Sequence, residues 1–306
     1  MYSIVIGIPT YKRPLMLEKL ILNINVCRIN KLLVKNINII VIDNDIEKTA
    51  EQTVTSLKDK LDDFIKLNYY NYPVKGLSNV RNELFDRAFD YNPDFIVCID
   101  DDEFPSPDWL SQLLLTITEI KADIVLGPVI PVFESKVSHY ISYWFRYKNL
   151  PNNQKINFFW TGNFIICSEF LLKHKIKFDK RFNYTGSEDS HFGVTALNAG
   201  ANICWAKNAI VYETIPYKRA RLKWLIKRSY NGANTYCYIL KLDKKYKELL
   251  KKALISITYF VCGTMALIAL LSPFKWKYWG IIKISESIGG FAGLFGMKFN
   301  EYAKDR

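Results

Sequence analysis

Residues 95–103 read FIVCIDDDE, five apolar residues followed directly by four acidic ones. The apolar run Phe95–Ile99 is typical of a short strand buried in a sheet, and the acidic residues form a turn at its end. Asp100 and Asp102 are separated by one residue, so both carboxylates can reach one small cation. Mg²⁺ and Mn²⁺ take oxygen ligands and often bridge substrate phosphates, so the turn predicts a metal site. A solvated acidic turn without a ligand is the alternative.

Two earlier apolar runs end in polar residues in the same way. Ile4–Ile8 leads into residues 10–13, and Ile37–Ile42 leads into residues 43–45. Helical patterns separate these runs from each other and from a weaker strand at Ile65–Tyr70, and this alternation predicts an α/β fold. We expect a mixed, mostly parallel, Rossmann-like sheet with helices on both faces. Because ligands of such sheets bind at the carboxyl ends of strands, the three polar strand ends predict one binding site.

Arg81 lies in a helix that we expect to follow the turn at residues 75–78, with Ser78 as its N-cap. A guanidinium close to the start of a helix suits an anionic or nucleotide ligand. A surface arginine on a solvated helix is the alternative.

Glu188 and Asp189 form a second acidic pair, between a Gly-Ser turn and a predicted helix. Carboxylates at a helix start commonly cap it. In a cleft, the same carboxylates can act as a general base on an attacking hydroxyl. Residues 131–216 contain no linker, so we expect them to complete the domain that begins at residue 1.

The charge of the chain is divided unevenly along its length. Residues 1–214 hold 24 basic and 25 acidic residues, whereas residues 215–306 hold 18 basic and 5 acidic ones. This basic third contains an uncharged run, Ala253–Leu271, which is close to the roughly 20 residues that cross a bilayer core. Lysines flank the run at positions 251, 252, 275 and 277, and a second apolar stretch, Ile281–Met297, is interrupted by Lys283 and Glu286.

We therefore predict that residues 217–306, nearly all of this basic third, form a helical region that associates with a membrane. A full span, a shallow interfacial or re-entrant helix pair, and a helix pair packed on the catalytic domain all remain open. The charges flank an apolar run rather than alternate with exposed aromatic residues, so we expect no nucleic acid partner. The opening residues have no basic start and no long apolar run, which predicts that the N-terminal part stays in the cytosol.

Several classes of protein find no support in the sequence. The six cysteines have no paired spacing and the three histidines form no metal-binding pattern, which argues against a zinc enzyme. The chain also lacks the Gly-rich nucleotide loops of P-loop and dinucleotide-binding proteins and the Gly-x-Ser-x-Gly elbow of serine hydrolases.

The ordered set of motifs resembles a family 2 glycosyltransferase, the large inverting group with a GT-A fold, and in particular its bacterial exopolysaccharide and lipopolysaccharide members. The resemblance covers about residues 3–235. It is carried by Ile8-Pro9-Thr10-Tyr11-Lys12-Arg13-Pro14, Val41-Ile42-Asp43-Asn44-Asp45, Gly76-Leu77-Ser78-Asn79-Val80-Arg81-Asn82, Ile99-Asp100-Asp101-Asp102-Glu103, Pro107-Asp108-Trp109-Leu110, Thr161-Gly162-Asn163, Gly186-Ser187-Glu188-Asp189 and the tail that begins Glu213-Thr214-Ile215-Pro216.

The resemblance implies a catalytic domain at 1–216, with a nucleotide-binding half at about 1–130 and an acceptor half at about 131–216. It also implies Mn²⁺ or Mg²⁺ as cofactor and a role for each matching residue. Asp189 is implied as the catalytic base, with Glu188 supporting it or touching the acceptor, and Asp102, with Asp100, as metal ligand. The nucleotide-binding residues that it implies are Pro9, Thr10, Tyr11, Asp43, Arg81, Asp100 and Asp101.

Two departures from the family pattern affect the metal site. The middle residue of the family's Asp-x-Asp is often small, whereas here it is Asp101, so more than one carboxylate of the turn can hold the ion. A histidine that some relatives use as a further metal ligand is replaced by Tyr212-Glu213.

The function that follows is transfer of a sugar, with inversion, from a nucleoside diphosphate sugar such as a UDP-sugar to a saccharide or lipid-linked acceptor. The enzyme is expected on the cytoplasmic side of a bacterial inner membrane, in synthesis of cell-surface polysaccharide. A metal-dependent nucleotidyltransferase and a non-enzymatic membrane-bound binding protein are the alternatives.

Overall fold

The computed structural model of the protein describes residues 1–268 and 274–299. The strands within these ranges are β1 (Tyr2–Thr10), β2 (Val34–Asp43), β3 (Ile65–Asn71), β4 (Phe95–Ile99), β5 (Glu103–Pro105), β6 (Ile124–Leu126), β7 (Val129–Phe133), β8 (Asn163–Cys167), β9 (Ile203–Trp205) and β10 (Val211–Ile215). The helices are α1 (Pro14–Asn25), α2 (Glu51–Leu57), α3 (Leu77–Phe89), α4 (Trp109–Ile120), α5 (His139–Trp144), α6 (Ser168–His174), α7 (Glu188–Asn198), α8 (Leu222–Leu242), α9 (Tyr246–Ile268) and α10 (Phe274–Leu294).

The chain forms two compact units. The first consists of Met1–Val132, Tyr147–Asn183 and Glu188–Thr214, and the second of Phe133–Arg146, Tyr184–Ser187 and the residues from Ile215 onward. The functional division at residue 216 into a catalytic domain and a membrane-associating region stays a prediction.

A seven-stranded sheet organises the first unit, in the order β3-β2-β1-β4-β8-β6-β9. Its neighbours are parallel except that β8 runs antiparallel to both β4 and β6. A smaller three-stranded sheet has the order β5-β10-β7. The predicted mixed, mostly parallel α/β sheet is therefore confirmed.

Alternating side chains of the central strands fill a core on each face of the sheet. Ile4, Ile6 and Ile8 of β1 point to one face, where α1, α2 and α4 supply the packing residues. Val5 points to the other face, against residues of α3 and α7 such as Phe192. Strands that are apolar on both sides appear in the sequence as unbroken apolar runs, which is why these strands were predictable.

Register brings two of the polar strand ends level with each other. Thr10, the last residue of β1, pairs with Asp43, the last residue of β2. On the other side of β1, Gly7 pairs with Cys98 of β4, so that Thr10 is level with the turn three residues beyond Cys98. The carboxyl ends of parallel strands lie at one edge of a sheet, so the side chains of these ends collect there.

Asn163, which the sequence singled out within a Thr-Gly-Asn motif, is a structural residue of β8. Its side chain is fully buried. The Oδ1 atom accepts a hydrogen bond from the indole of Trp109, and the Nδ2 atom donates to the carbonyl oxygens of Pro128 and Ala209. Since all of these bonds are within the first unit, Asn163 ties the antiparallel strand to α4 and to two loops.

The second unit contains α5 and the long helices α8, α9 and α10. Aromatic stacking joins the region of α5 to α8 and α10. The ring centroids of Phe145 and Trp224 of α8 lie 5.7 Å apart, and those of Tyr140 and Tyr278 of α10 lie 5.4 Å apart. Of the predicted uncharged run 253–271, residues 253–268 belong to α9 and the last three lie outside the described residues. Among the described residues, α9 is the one helix long and apolar enough to cross a membrane.

Candidate functional site

The acidic turn after β4 is held by Arg13, which follows β1. Its Nη1 atom lies 2.7 Å from Asp101 Oδ1 and 2.9 Å from Asp102 Oδ2. Thr10 donates its hydroxyl to the other oxygen of Asp101 at 2.8 Å. Burial raises the pKa of Asp101 to about 6, although Arg13 and Thr10 both act to lower it. Thr10 and Asp101, two of the predicted nucleotide-binding residues, are therefore in direct contact.

Arg81 of α3 joins the acidic turn to the start of α7. Its Nη2 atom lies 3.2 Å from Asp100 Oδ1, and its Nε atom lies 3.5 Å from Glu188 Oε1. Burial acts to lower the pKa of Arg81, but the two carboxylates outweigh it and raise the pKa. The predicted nucleotide-binding arginine, a predicted metal ligand and a predicted catalytic residue thus form one charged group, in which Arg81 and Glu188 are buried and Asp100 is partly exposed.

The expected cap of α3 is wrong. The hydroxyl of Ser78 donates to the carbonyl oxygen of Asp179 rather than accepting from its own helix, and Gly76 precedes the helix at φ +122°. The reason is that α3 begins at Leu77 with Gly76 at the N-cap position, so Ser78 is already the second residue of the helix and its hydroxyl bonds to a distant part of the chain.

Asp189 follows Glu188 in the first turn of α7 and is half-buried. Its Oδ1 atom accepts a hydrogen bond from the backbone N–H of Ser190 at 2.6 Å. Gly186 and Ser187 precede the helix with φ values of +73° and +64°, a left-handed pair that turns the chain sharply into α7. Asp189 therefore presents a partly exposed carboxylate beside Glu188, and a carboxylate in a cleft is a residue type that can act as a general base.

Asp43 is fully buried, and its carboxylate organises the loop after β2. Oδ1 accepts from the N–H of Asp45, while Oδ2 accepts from the N–H of Ala50 and the hydroxyl of Tyr69. Asp43 can therefore shape the predicted base pocket through the loop that it holds. Pro9 and Tyr11, the other residues expected there, are both half-buried at the end of β1.

Asp45 is a residue that the sequence analysis did not assign. Its Oδ2 atom is buried and makes no hydrogen bond, while Oδ1 lies 3.8 Å from the ammonium of Lys12. A buried carboxylate oxygen that lacks a donor is costly, so such an atom at the strand ends marks a position where a ligand N–H can bind. The signal in the sequence was the second aspartate of Asp43-Asn44-Asp45.

Glu103 is a second residue without an assigned role. It is completely buried, and burial together with the nearby Asp100 and Glu213 raises its pKa well above the ordinary range. Its Oε2 atom accepts from the backbone N–H of Asp100 at 2.9 Å, which fixes the start of the acidic turn. Glu213, which replaces the histidine of some relatives, pairs with Glu103 across β10 and β5.

The donor set of the turn fits a divalent ion that is shared with a phosphate ligand. Within the described residues no group of three or more His, Cys, Asp or Glu side chains forms a complete metal cage. Mg²⁺ and Mn²⁺ sites on nucleotides need only one or two carboxylates, with waters and phosphate oxygens as the other ligands. Asp100 and Asp102 are the residues of the turn that would hold such an ion, and the side chain of Asp100 is 32% exposed, so a ligand can reach it.

Family models match most of this chain. One described as "Glycosyl transferase family 2" matches residues 5–182, and one described as "Glycosyl transferase family group 2" matches residues 95–292. The first range contains the three polar strand ends, and the second contains α7 and its acidic pair.

A curated relative and several solved structures are similar over nearly the whole chain. The succinoglycan biosynthesis protein ExoM of Rhizobium meliloti (strain 1021) is 28% identical over 297 residues, 96% of this chain and 93% of ExoM. The mannosyltransferase PcManGT of Pyrobaculum calidifontis, solved with GDP-Man and Mn²⁺, has a TM-score of 0.67 at 15% identity, over 97% and 88% of the two chains. S. aureus TarS 1-349, solved with UDP-GlcNAc, has a TM-score of 0.56 at 14% identity, and the match covers 96% of this chain and 92% of the TarS chain. The last two show the fold alone.

Proposed function

Because the chain belongs to glycosyl transferase family 2, we propose that it is a metal-dependent, inverting enzyme that takes its sugar from a nucleoside diphosphate sugar. Sugar transfer in polysaccharide synthesis follows from the family and from the likeness to ExoM. Membership decides against the two alternatives from the sequence, a nucleotidyltransferase and a non-enzymatic binding protein. A UDP-sugar is the donor we favour, with a saccharide or lipid-linked acceptor.

The observation that carries the proposal is the charged group around Arg81. One buried guanidinium contacts Asp100, at the predicted donor site, and Glu188, next to the predicted base Asp189. Donor and acceptor chemistry must occur within a few ångströms of each other, because the acceptor oxygen attacks the carbon that the diphosphate leaves. The contact supports one reaction centre formed by the acidic turn and the start of α7.

The reaction needs no covalent enzyme intermediate. Asp100 and Asp102 would hold Mn²⁺ or Mg²⁺, which offsets the charge that develops on the leaving diphosphate. Asp189 removes the proton from the acceptor hydroxyl as its oxygen forms the new bond to the anomeric carbon. The bond from that carbon to the phosphate oxygen breaks, and the diphosphate leaves with the electron pair. A single displacement from the opposite face inverts the anomeric centre.

We place the enzyme at the cytoplasmic face of a membrane. The excess of basic residues after residue 214 and the apolar helix α9 support this location. It also suits a lipid-linked acceptor, whose growing sugar end stays close to the bilayer.

A panel of UDP-, GDP- and TDP-sugars tests the proposal. Purified protein is incubated with each sugar nucleotide in Mn²⁺, in Mg²⁺ and in EDTA, and release of the nucleoside diphosphate is measured. We expect release from one nucleotide class, dependent on metal. Release of pyrophosphate instead, or equal turnover in EDTA, would contradict it.

A further inference from the structure

Helix α9 of the second unit has its polar and apolar sides reversed relative to a helix of a water-soluble protein. The residues that it buries are Lys252, Ser256 and Gly263. Most of the residues that it exposes from Leu250 onward are large and apolar: Leu250, Leu254, Ile255, Ile257, Phe260, Val261, Met265, Leu267 and Ile268. The exposed ion pair of Lys251 with Glu248 lies near the N-terminal end of this set. A large exposed apolar surface of this kind marks a binding face.

The buried side of α9 packs against α10 through one charged contact and through small residues. Lys252 lies 3.2 Å from Glu286 of α10, which also contacts Lys283 at 2.8 Å. Further along, a Cβ added to Gly263 would lie 2.9 Å from the carbonyl oxygen of Gly280, so the two backbones are in close approach. The helices are thus packed together along their lengths through polar and small residues, which leaves the apolar side of α9 facing outward.

The positive charge of residues 215–306 indicates what binds to the exposed apolar face of α9. Residues 215–306 carry 18 basic and 5 acidic residues, and Lys244 and Lys247 are exposed at the start of α9. A second copy of the chain would bring two strongly basic surfaces together, whereas anionic lipid headgroups neutralise this charge. An apolar face with lysines at its end is the pattern of helices that bind such membranes.

We propose that the outward face of α9 lies in the interfacial layer of an anionic bilayer, with Lys244 and Lys247 at the phosphates and the apolar side chains among the upper acyl chains. This deepens the proposed membrane location and rests on it. A full span is disfavoured by α10, because a helix packed along α9 would carry Lys283 and Glu286 into the bilayer, which is costly.

Vesicle sedimentation with the full chain tests the proposal. We expect binding to phosphatidylcholine vesicles that contain phosphatidylglycerol, and much weaker binding to phosphatidylcholine alone. Replacing two exposed residues of the face, Ile257→Gln with Val261→Gln, should weaken binding about tenfold or more. Lys247→Gln should weaken binding to the anionic vesicles alone, by about fivefold. Leu172→Gln, at an exposed leucine of α6, is the matched control and should bind as the wild type does.

Cys262 gives a second readout, because it is the exposed one of the six cysteines and lies on α9. A water-soluble maleimide should label it in free protein and fail to label it with anionic vesicles present, and Cys262→Ser identifies its signal. Protein left in the supernatant with anionic vesicles, or Cys262 already protected in a lipid-free dimer, would overturn the proposal. So would retention in cell membranes after alkaline carbonate, which indicates a span. Sugar-nucleotide binding is measured on the same samples, so a failure of this inference is separable from a failure of the proposed function.

Discussion

Asp101 occupies the middle of the acidic turn, where the family pattern often has a small residue. Its side chain is buried, and its two oxygens contact Arg13 and Thr10. The additional carboxylate is therefore balanced within the protein, by a residue that follows β1. Arg13 also contacts Asp102, and Arg81 contacts Asp100. All three aspartates of the turn therefore pair with an arginine, and Asp102 with Asp100 remains the pair that we propose for the metal.

Replacing Asp102 tests this assignment. Asp102→Asn keeps the shape of the side chain but removes the negative charge that a divalent ion requires, so metal-dependent binding of the sugar nucleotide should fall by at least about tenfold. Isothermal titration in Mn²⁺ and in EDTA measures the change. Asp108→Asn, at a partly exposed aspartate that pairs with Arg28, is the control and should bind normally. Unchanged Mn²⁺ dependence in Asp102→Asn would contradict the assignment.

Arg81 balances two carboxylates, so removing it should cost stability. Arg81→Met removes the guanidinium that contacts both Asp100 and Glu188, and we expect a loss of about 3 kcal/mol in the free energy of unfolding. Adding Glu188→Gln to Arg81→Met removes one of the charges that Arg81 balances and should restore part of the loss. Urea denaturation of the two single variants and the double variant measures the coupling. Simple additivity of the two single effects would show that the contact is not energetically coupled.

At the scale of the element, α3 depends on the turn that precedes it. Gly76 has φ +122°, and a Cβ there would collide with the side chain of Asn183. Gly200 also has a positive φ, +90°, but a Cβ there would meet nothing within 4 Å. Gly200→Ala should therefore lower the free energy of unfolding only by the cost of placing an alanine in a left-handed backbone conformation, about 1–2 kcal/mol. Gly76→Ala should lose more and also weaken sugar-nucleotide binding, because it displaces the helix that carries Arg81. Thermal melting and donor titration check both, and equal effects of the two variants would count against this reasoning.

The segment at Asp179 should make stability depend on pH. Burial acts to raise the pKa of Asp179, but the hydrogen bonds and charge of Arg181, with His191, outweigh it and lower the pKa below 3.8. A lowered pKa in the folded state contributes stability that is present above the unfolded value and is lost as the pH falls below it. The melting temperature of Asp179→Asn should thus be lower than that of wild type at pH 6, and the gap should narrow toward pH 3. Thermal melting of both proteins between pH 6 and pH 3 measures the gap, and a gap that stays constant over this range would contradict the reasoning.

Elements that are apolar on both faces were predictable, and contacts between distant segments were not. The central parts of β1, β2 and β4 are apolar runs, interrupted in β2 by Asn38, so the sequence located them and the polar residues at their ends. The role of Ser78 was missed because its partner, Asp179, is 101 residues away. The Asp45 oxygen that accepts no hydrogen bond was missed for a related reason. Which carboxylate the N–H groups of this loop bond to, such as that of Ala50 to Asp43, is decided only when the loop folds. The antiparallel insertion of β8 carries no local sequence signal either.

In the whole molecule, the net positive charge is confined to the C-terminal third of the chain. The residues through 214 are nearly neutral overall and contain every residue that we assign to the reaction, while the remainder holds the entire positive excess. Such a division suits an enzyme whose acceptor is attached to an anionic membrane, because the basic region can hold the surface while the acidic turn keeps its charge for the metal.

In the proposed reaction, one displacement assisted by Asp189 transfers the sugar with inversion. The most direct test is NMR of the sugar released by slow hydrolysis of the accepted donor, recorded before mutarotation, because water then replaces the unknown acceptor. We predict that the first anomer formed is opposite to that of the donor. In Asp189→Asn its rate of formation should fall by at least about a hundredfold while donor affinity is preserved. A first product with the donor's own anomeric configuration, or undiminished turnover by Asp189→Asn, would contradict the account.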